Sequence, residues 1–535
     1  MCRRQAKREQ SQIGGPVTQT SDTFHEWTEV FAARLRGQEG SDDGPFRRGI
    51  LKKVAIEKLE HHRMRFAVAT LALLFAFSAP APARATPLEP LLSHMRTAAG
   101  PIWSAHIDAV VDITDGEIVT RAHIEAGGDR LALHRCLDDL CLGRYYHGAA
   151  ADDLTLNGAP VAAPQVTSSE PALLLVLSHA FLRPGFRGSL SLLPSARENR
   201  AAIEVRSPGI APFAIRVRRN GLIASAEIGS TAYDFSDYRH VATLQLPARI
   251  LRDGKPYLSF HRLRVLDTPF IEPHPLPLAF AAAPVVLPWR PRARTPVVDC
   301  SIDGMPLRCL IDSGNSGLSM TLALAERLHL QPIGTFEVQG IGRYLTEVVS
   351  APPLHLGAAT LPAASYVVLP DLEGTRYDVV LGTDFLAAAR TIVDGPKRRV
   401  IIEPSTSIGE VRGIPLRFLS LVPTVPVLLA TTHSHLLVDT GDESTIDLGA
   451  DFFHRHPSLF RVTKSRSVRG VGGSSVERLG RIPDVTLGSL HLTNLEIGAT
   501  EHLHSVGDGH IGSGLMAKFV VTFDYARDRI EFALP

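Results

Sequence analysis

From residue 86 onward the chain alternates apolar and polar residues over short runs. The pattern holds from Trp103 to Ile113, and again in Ile118-Val119-Thr120-Arg121-Ala122-His123-Ile124. It recurs in Ala202-Ile203-Glu204-Val205 and in Phe213-Ala214-Ile215-Arg216-Val217. A period of two puts one face of a strand inside and the other in water. Asp115-Gly116, Gly127-Gly128, Asn157-Gly158 and Asn220-Gly221 separate the runs and supply turn residues. The pattern predicts a β-rich unit over 86–268, with one helix from Leu88 to Thr97. A Pro-rich stretch, 269–296, follows and reads as a linker.

Beyond residue 297 the pattern changes. Apolar pairs, Leu310-Ile311 and Leu437-Val438, run straight into Asp312-Ser313-Gly314 and Asp439-Thr440-Gly441. Each is followed by a glycine cluster (Gly340, Ile341, Gly342; then Gly470, Val471, Gly472), by a turn ending at Gly382 or Gly512, and by a short helix. An alternating strand closes each copy, Arg399-Val400-Ile401-Ile402 and Arg529-Ile530-Glu531-Phe532. Asp439 lies 127 residues after Asp312, and Gly470, Gly512 and Asp524 each lie 130 after Gly340, Gly382 and Asp394. Four anchors in one order, drifting by three positions, mark an internal duplication.

Each anchor has a physical reason. β-favouring apolar pairs bury the strand that delivers the Asp. Glycine after Asp-Ser/Thr lets the backbone turn beside a carboxylate. The Ser313 and Thr440 hydroxyls are expected to donate across a pseudo-two-fold axis and lock the two loops. The glycine clusters suit the tips of hairpins that close over an extended substrate.

These motifs resemble retropepsin-like aspartic peptidase domains fused in tandem over residues 293–535. The resemblance implies a mainly β fold with two closed β-domains, lobes 297–404 and 413–535, paired as a bilobed peptidase behind the β-rich domain. It implies a catalytic dyad of Asp312 and Asp439. Ser313, Gly314, Thr440, Gly441 and the two glycine clusters would contact a peptide or protein substrate. Two carboxyls sharing one proton would activate water for peptide-bond hydrolysis, with no metal or organic cofactor. The sequence departs from the family at Asn315 and Asp442, which follow the two glycines, and at His510-Ile511, where two aliphatics are usual. A peptide-binding module without activity is the first rival expectation, and lobes paired between chains are another. The His-x-His pairs at 433/435, 454/456 and 502/504 have no metal-site spacing and read as exposed positions.

Residues 233–265 loosely resemble the closing strands of lipoprotein-carrier half-barrels, which adds a lipid- or lipoprotein-carrier reading for the N-terminal domain. Near-equal charge, 56 Lys and Arg against 55 Asp and Glu, gives no argument for nucleic acid as a partner. Arg63 and Arg65, the apolar stretch Phe66 to Ala79 and Ala83-Arg84-Ala85 have the plan of a signal peptide at 64–85. Residues 1–63 are then expected to be a non-native extension, and the protein to be exported, periplasmic or extracellular. Cys136, Cys141, Cys300 and Cys309 make an even set. Cys136–Cys141 is the easier bridge, because Cys300 and Cys309 fall diagonally on their predicted hairpin.

Overall fold

The alternating N-terminal runs fold into a single 13-stranded antiparallel sheet. The computed structural model describes residues 88–137, 140–163, 169–194, 201–370, 376–406, 413–501 and 507–535. The expected leader and the extension before it lie outside these residues, as do the Cys136–Cys141 side chains. Strand order explains the shape. His106–Asp115 pairs with Lys255–Leu266, so the first and last strands meet mid-sheet, and Pro160–Ala162 and Ser189–Leu193 form the edges. Two helices, Leu88–Ala99 and Ser169–Leu177, pack on this half-barrel. Between the second helix and the sheet lies an open apolar pocket, lined by Ile107, Ala109, Ile124, Leu174, Leu246 and Phe260 among others.

The two later copies build a 10-stranded and an 8-stranded sheet around one continuous apolar core. In each, the Asp-bearing strand pairs in parallel with the strand that leads into the Gly382 or Gly512 turn: Ile311 faces Leu381, and Asp439 faces Gly512. Parallel pairing over so few residues forces the chain to cross over itself, and the Asp loop sits at the crossing. The trailing hairpins are where the copies join. Ala389–Asp394 pairs with Val520–Asp524 in a shared six-stranded sheet, flanked by Arg399–Pro404 and Arg529–Ala533. That sheet fixes one lobe against the other.

The 269–296 stretch differs from the spacer its prolines predict. Val285–Pro288 is an outer strand of the shared sheet, paired with Arg399–Pro404, and Ala279–Phe280 pairs with Ala359–Leu361. Trp289 is buried, with the Arg398 guanidinium over its ring. Proline's missing N–H is tolerable because these strands lie at sheet edges. Cys300 and Cys309 form a disulfide, diagonal across the hairpin as their register requires, with Cα atoms 5.9 Å apart.

Candidate active site

Asp312 and Asp439 leave their strands at the junction between lobes, and the two Asp loops interlock. The Ser313 N–H donates to Thr440 Oγ1 (3.0 Å), whose hydroxyl donates to the Ile311 carbonyl (2.7 Å). The mirror pair runs the other way: the Thr440 N–H donates to Ser313 Oγ (3.1 Å), and that hydroxyl donates to the Val438 carbonyl (2.6 Å). Both hydroxyl residues are fully buried. Four mutual hydrogen bonds therefore hold the loops in one relative position.

Glycine is obligatory here for a reason that spans the axis. A Cβ at Gly314 would stand 2.5 Å from the Asp439 Cγ, and one at Gly441 2.5 Å from an Asp312 carboxylate oxygen. Each loop's glycine thus makes room for the other loop's carboxyl. Below them, a Cβ at Gly382 would meet the Asn315 carbonyl at 2.1 Å, and one at Gly512 the Ser444 carbonyl at 2.4 Å. The two turns that end in glycine are the floor on which the Asp loops rest.

The two carboxyls lie side by side, each against the glycine of the opposite loop. Asp312 Oδ1 accepts the Gly314 N–H (2.9 Å), whereas Asp439 Oδ1 accepts two, from Gly441 (2.8 Å) and Asp442 (3.1 Å). Burial, and then the Asp439 charge, push the Asp312 carboxyl well above the usual carboxylate range. Two carboxyls this close cannot both ionise cheaply, so the pair holds one proton between them. Burial and the charges of both carboxylates also push the Tyr377 phenol up to about 12.

Residues 298–385 match the aspartyl protease family model. The matched segment contains Asp312, the first glycine cluster and the Gly382 turn. Residues 413–535, which supply Asp439, lie beyond it. No curated protein matches the chain.

Above the pair, the glycine clusters meet. Residues 340–342 form the tip of the hairpin Pro332–Gln339 and Arg343–Ala351, and 471–472 the tip of Lys464–Gly470 and Gly473–Leu487. The Gly342 N–H donates to the Val471 carbonyl (3.3 Å), and a Cβ at Gly340 would lie 2.7 Å from that oxygen. Ile341 lies against Gly470, where a Cβ would come within 3.0 Å of its Cδ1. The sequence-predicted residues thus meet in two places, the Asp loops with each other across the axis and the flap tips with each other.

The two unusual residues behave differently. Asn315 turns into its own loop, donating to the Gly317 carbonyl (3.1 Å) and accepting from Ser319 Oγ (3.2 Å). Asp442 caps its own turn by accepting the Ser444 N–H (2.9 Å) and hydroxyl. Burial, with the Asp439 charge adding, pushes the Asp442 carboxyl up.

His510 is the residue that motif reading passed over. It faces Leu437 in the second-lobe ladder, as Val380 faces Leu310 in the first. Its Nδ1 lies 3.6 Å from Asp439 Oδ2 and 4.0 Å from Asp442 Oδ2. The signal was present in the sequence as the imidazole breaking the aliphatic pair, where it reads only as a weaker turn. His433, His435 and His454 are exposed, and His456 packs on Phe452; His502 and His504 lie outside the described residues. Among the described residues no three His, Cys, Asp or Glu side chains group as a metal site would require.

Proposed function

We propose that the protein is an aspartic endopeptidase acting through one intramolecular dyad, Asp312 and Asp439. The observation that carries this reading is the cross-axis placement of the carboxyls, each seated against the glycine of the opposite loop. A water bound between them loses a proton to the ionised member of the pair and attacks the scissile carbonyl, which the protonated member polarises. An extended peptide pairs with the flap strands above, in the manner of strand addition. Each of Asp312→Asn and Asp439→Asn should abolish cleavage of a peptide library read by mass spectrometry. Cleavage that persists in either variant sinks the dyad.

Assembly of both halves from one chain supports a peptidase-competent monomer, which sedimentation of the active species tests. The Cys300–Cys309 disulfide supports export to an oxidising compartment. Sequencing the N-terminus of the mature protein tests the leader: a start near Thr86 is expected, and an intact segment 64–85 would overturn it. The apolar cavity of the half-barrel favours a second, binding role for an acyl chain or apolar peptide segment. Saturable displacement of a fluorescent fatty acid by unlabelled chains would support that role, and its absence would remove it.

A further inference from the structure

One turn of the half-barrel enters the first peptidase lobe. Residues 155–158 close it: the Gly158 N–H donates to the Thr155 carbonyl (2.9 Å), with Gly158 in the left-handed region at φ +81°. Three consecutive side chains of this turn enter the first lobe. Thr155, 2% exposed, donates its hydroxyl to Asp384 Oδ1. Asn157 donates to Asp384 Oδ2 (2.8 Å) and pairs with both backbone groups of Ser365, accepting its N–H (2.8 Å) and donating to its carbonyl (3.0 Å). Leu156 packs against Val348 and Val367 beside Ile333, Phe336 and Val338, at the base of the first flap hairpin.

Asp384 is fully buried, and its place in the fold is what gives these contacts their reach. It follows the turn that carries the first Asp loop, where the Gly382 N–H donates to the Gly317 carbonyl and the Thr383 N–H to the Asn315 carbonyl (both 2.9 Å). A Cβ on Gly317 would lie 3.2 Å from Asp384 Oδ2, so carboxylate and loop are in contact. The second lobe has no counterpart. Gly514 occupies the matching position, and a Cβ there would strike the Ser444 carbonyl at 2.7 Å. At this position the duplication therefore carries a buried acid only in the lobe that receives the half-barrel's turn. A buried carboxylate without donors is expensive, and two of the donors to Asp384 come from the half-barrel.

We propose that Thr155 and Asn157 are positioning residues for the peptidase, holding the Asp312 loop through Asp384, so that the N-terminal domain is a built-in part of the active centre. This rests on the peptidase reading above, and hydrogen exchange separates the failure of one from the failure of the other. The experiment compares full-length wild type with Thr155→Val, Thr155→Ser and Asn157→Ala, measuring kcat, KM and amide exchange over residues 313–317. Amides of strands Thr231–Val241 and Leu244–Arg252 report that the half-barrel itself is folded. In Thr155→Val and Asn157→Ala, kcat should fall about tenfold or more, since each change disrupts at least one buried hydrogen bond to Asp384, with KM within about twofold. Exchange at 313–317 should quicken by a similar factor, and Thr155→Ser, which keeps the hydroxyl, should restore both. Unchanged kcat and unchanged exchange in both variants, with wild type active, would overturn the positioning role. If wild type cleaves nothing, the peptidase reading fails, and exchange alone decides: faster exchange in both variants supports the positioning role, and unchanged exchange overturns it.

Discussion

Thr440→Val tests whether the hydroxyl lock, rather than the shared sheet alone, holds the lobes together. Valine matches threonine in volume, so no cavity forms, and the change is confined to hydrogen bonding. The substitution takes the acceptor from the Ser313 N–H and the donor from the Ile311 carbonyl, both buried. Each buried group left unpaired costs ~1–3 kcal/mol, so the loss should be about 2–5 kcal/mol. The pseudo-symmetry supplies the control. Ser313 makes the same two bonds with no methyl group, so Thr440→Ser keeps the lock and loses one buried methyl, about 1 kcal/mol. Urea unfolding followed by tryptophan fluorescence measures both, the difference being taken from the midpoints at a common slope. A Thr440→Val midpoint equal to that of Thr440→Ser would refute the lock as a source of stability.

Gly314→Ala should leave secondary structure intact by circular dichroism while lowering kcat by about a hundredfold or more, because the new methyl has only the space of the Asp439 carboxyl to enter; near-wild-type turnover would contradict the cross-axis packing. His510→Val installs the first lobe's residue. Removing the imidazole takes away a group that favours the ionised Asp442 carboxyl, so the acid limb of the kcat/KM profile should move to higher pH, and an unmoved limb argues that the imidazole has no electrostatic part. Asp447 offers a stability test. Burial pushes its carboxyl up to about 8, against about 4 in the unfolded chain, so the native state binds the extra proton. Its contribution is full below pH ~4 and is lost as pH rises towards ~8. Asp447→Asn should flatten the urea midpoint across that window and stabilise the protein at pH 8; an unchanged slope with pH would remove Asp447 as the cause.

Much of the candidate site is legible along the chain because its parts are local. A strand, an Asp turn and a glycine each answer to a backbone requirement that neighbours in sequence impose, and duplication doubles the signal at a constant offset. Glycines 314, 441, 382 and 512 are written in the sequence as turns. The same residues prove in space to be points of contact, where a Cβ would strike the opposite carboxyl or the loop above.

What the amino-acid sequence determined alone is the period-two pattern of the N-terminal domain, the two Asp loops and the flaps. All of these follow from propensity and spacing over about a dozen residues. Tertiary structure decided the rest. It joined hairpins 130 residues apart into a shared sheet, turned Val285–Pro288 from spacer into strand, and brought His510 to Asp439. It also set Thr155 and Asn157 against Asp384, across more than 220 residues of chain. Such contacts have no local period. They exist because a buried carboxylate and an open sheet edge each require a partner, and only the folded chain determines which residues are near enough to serve.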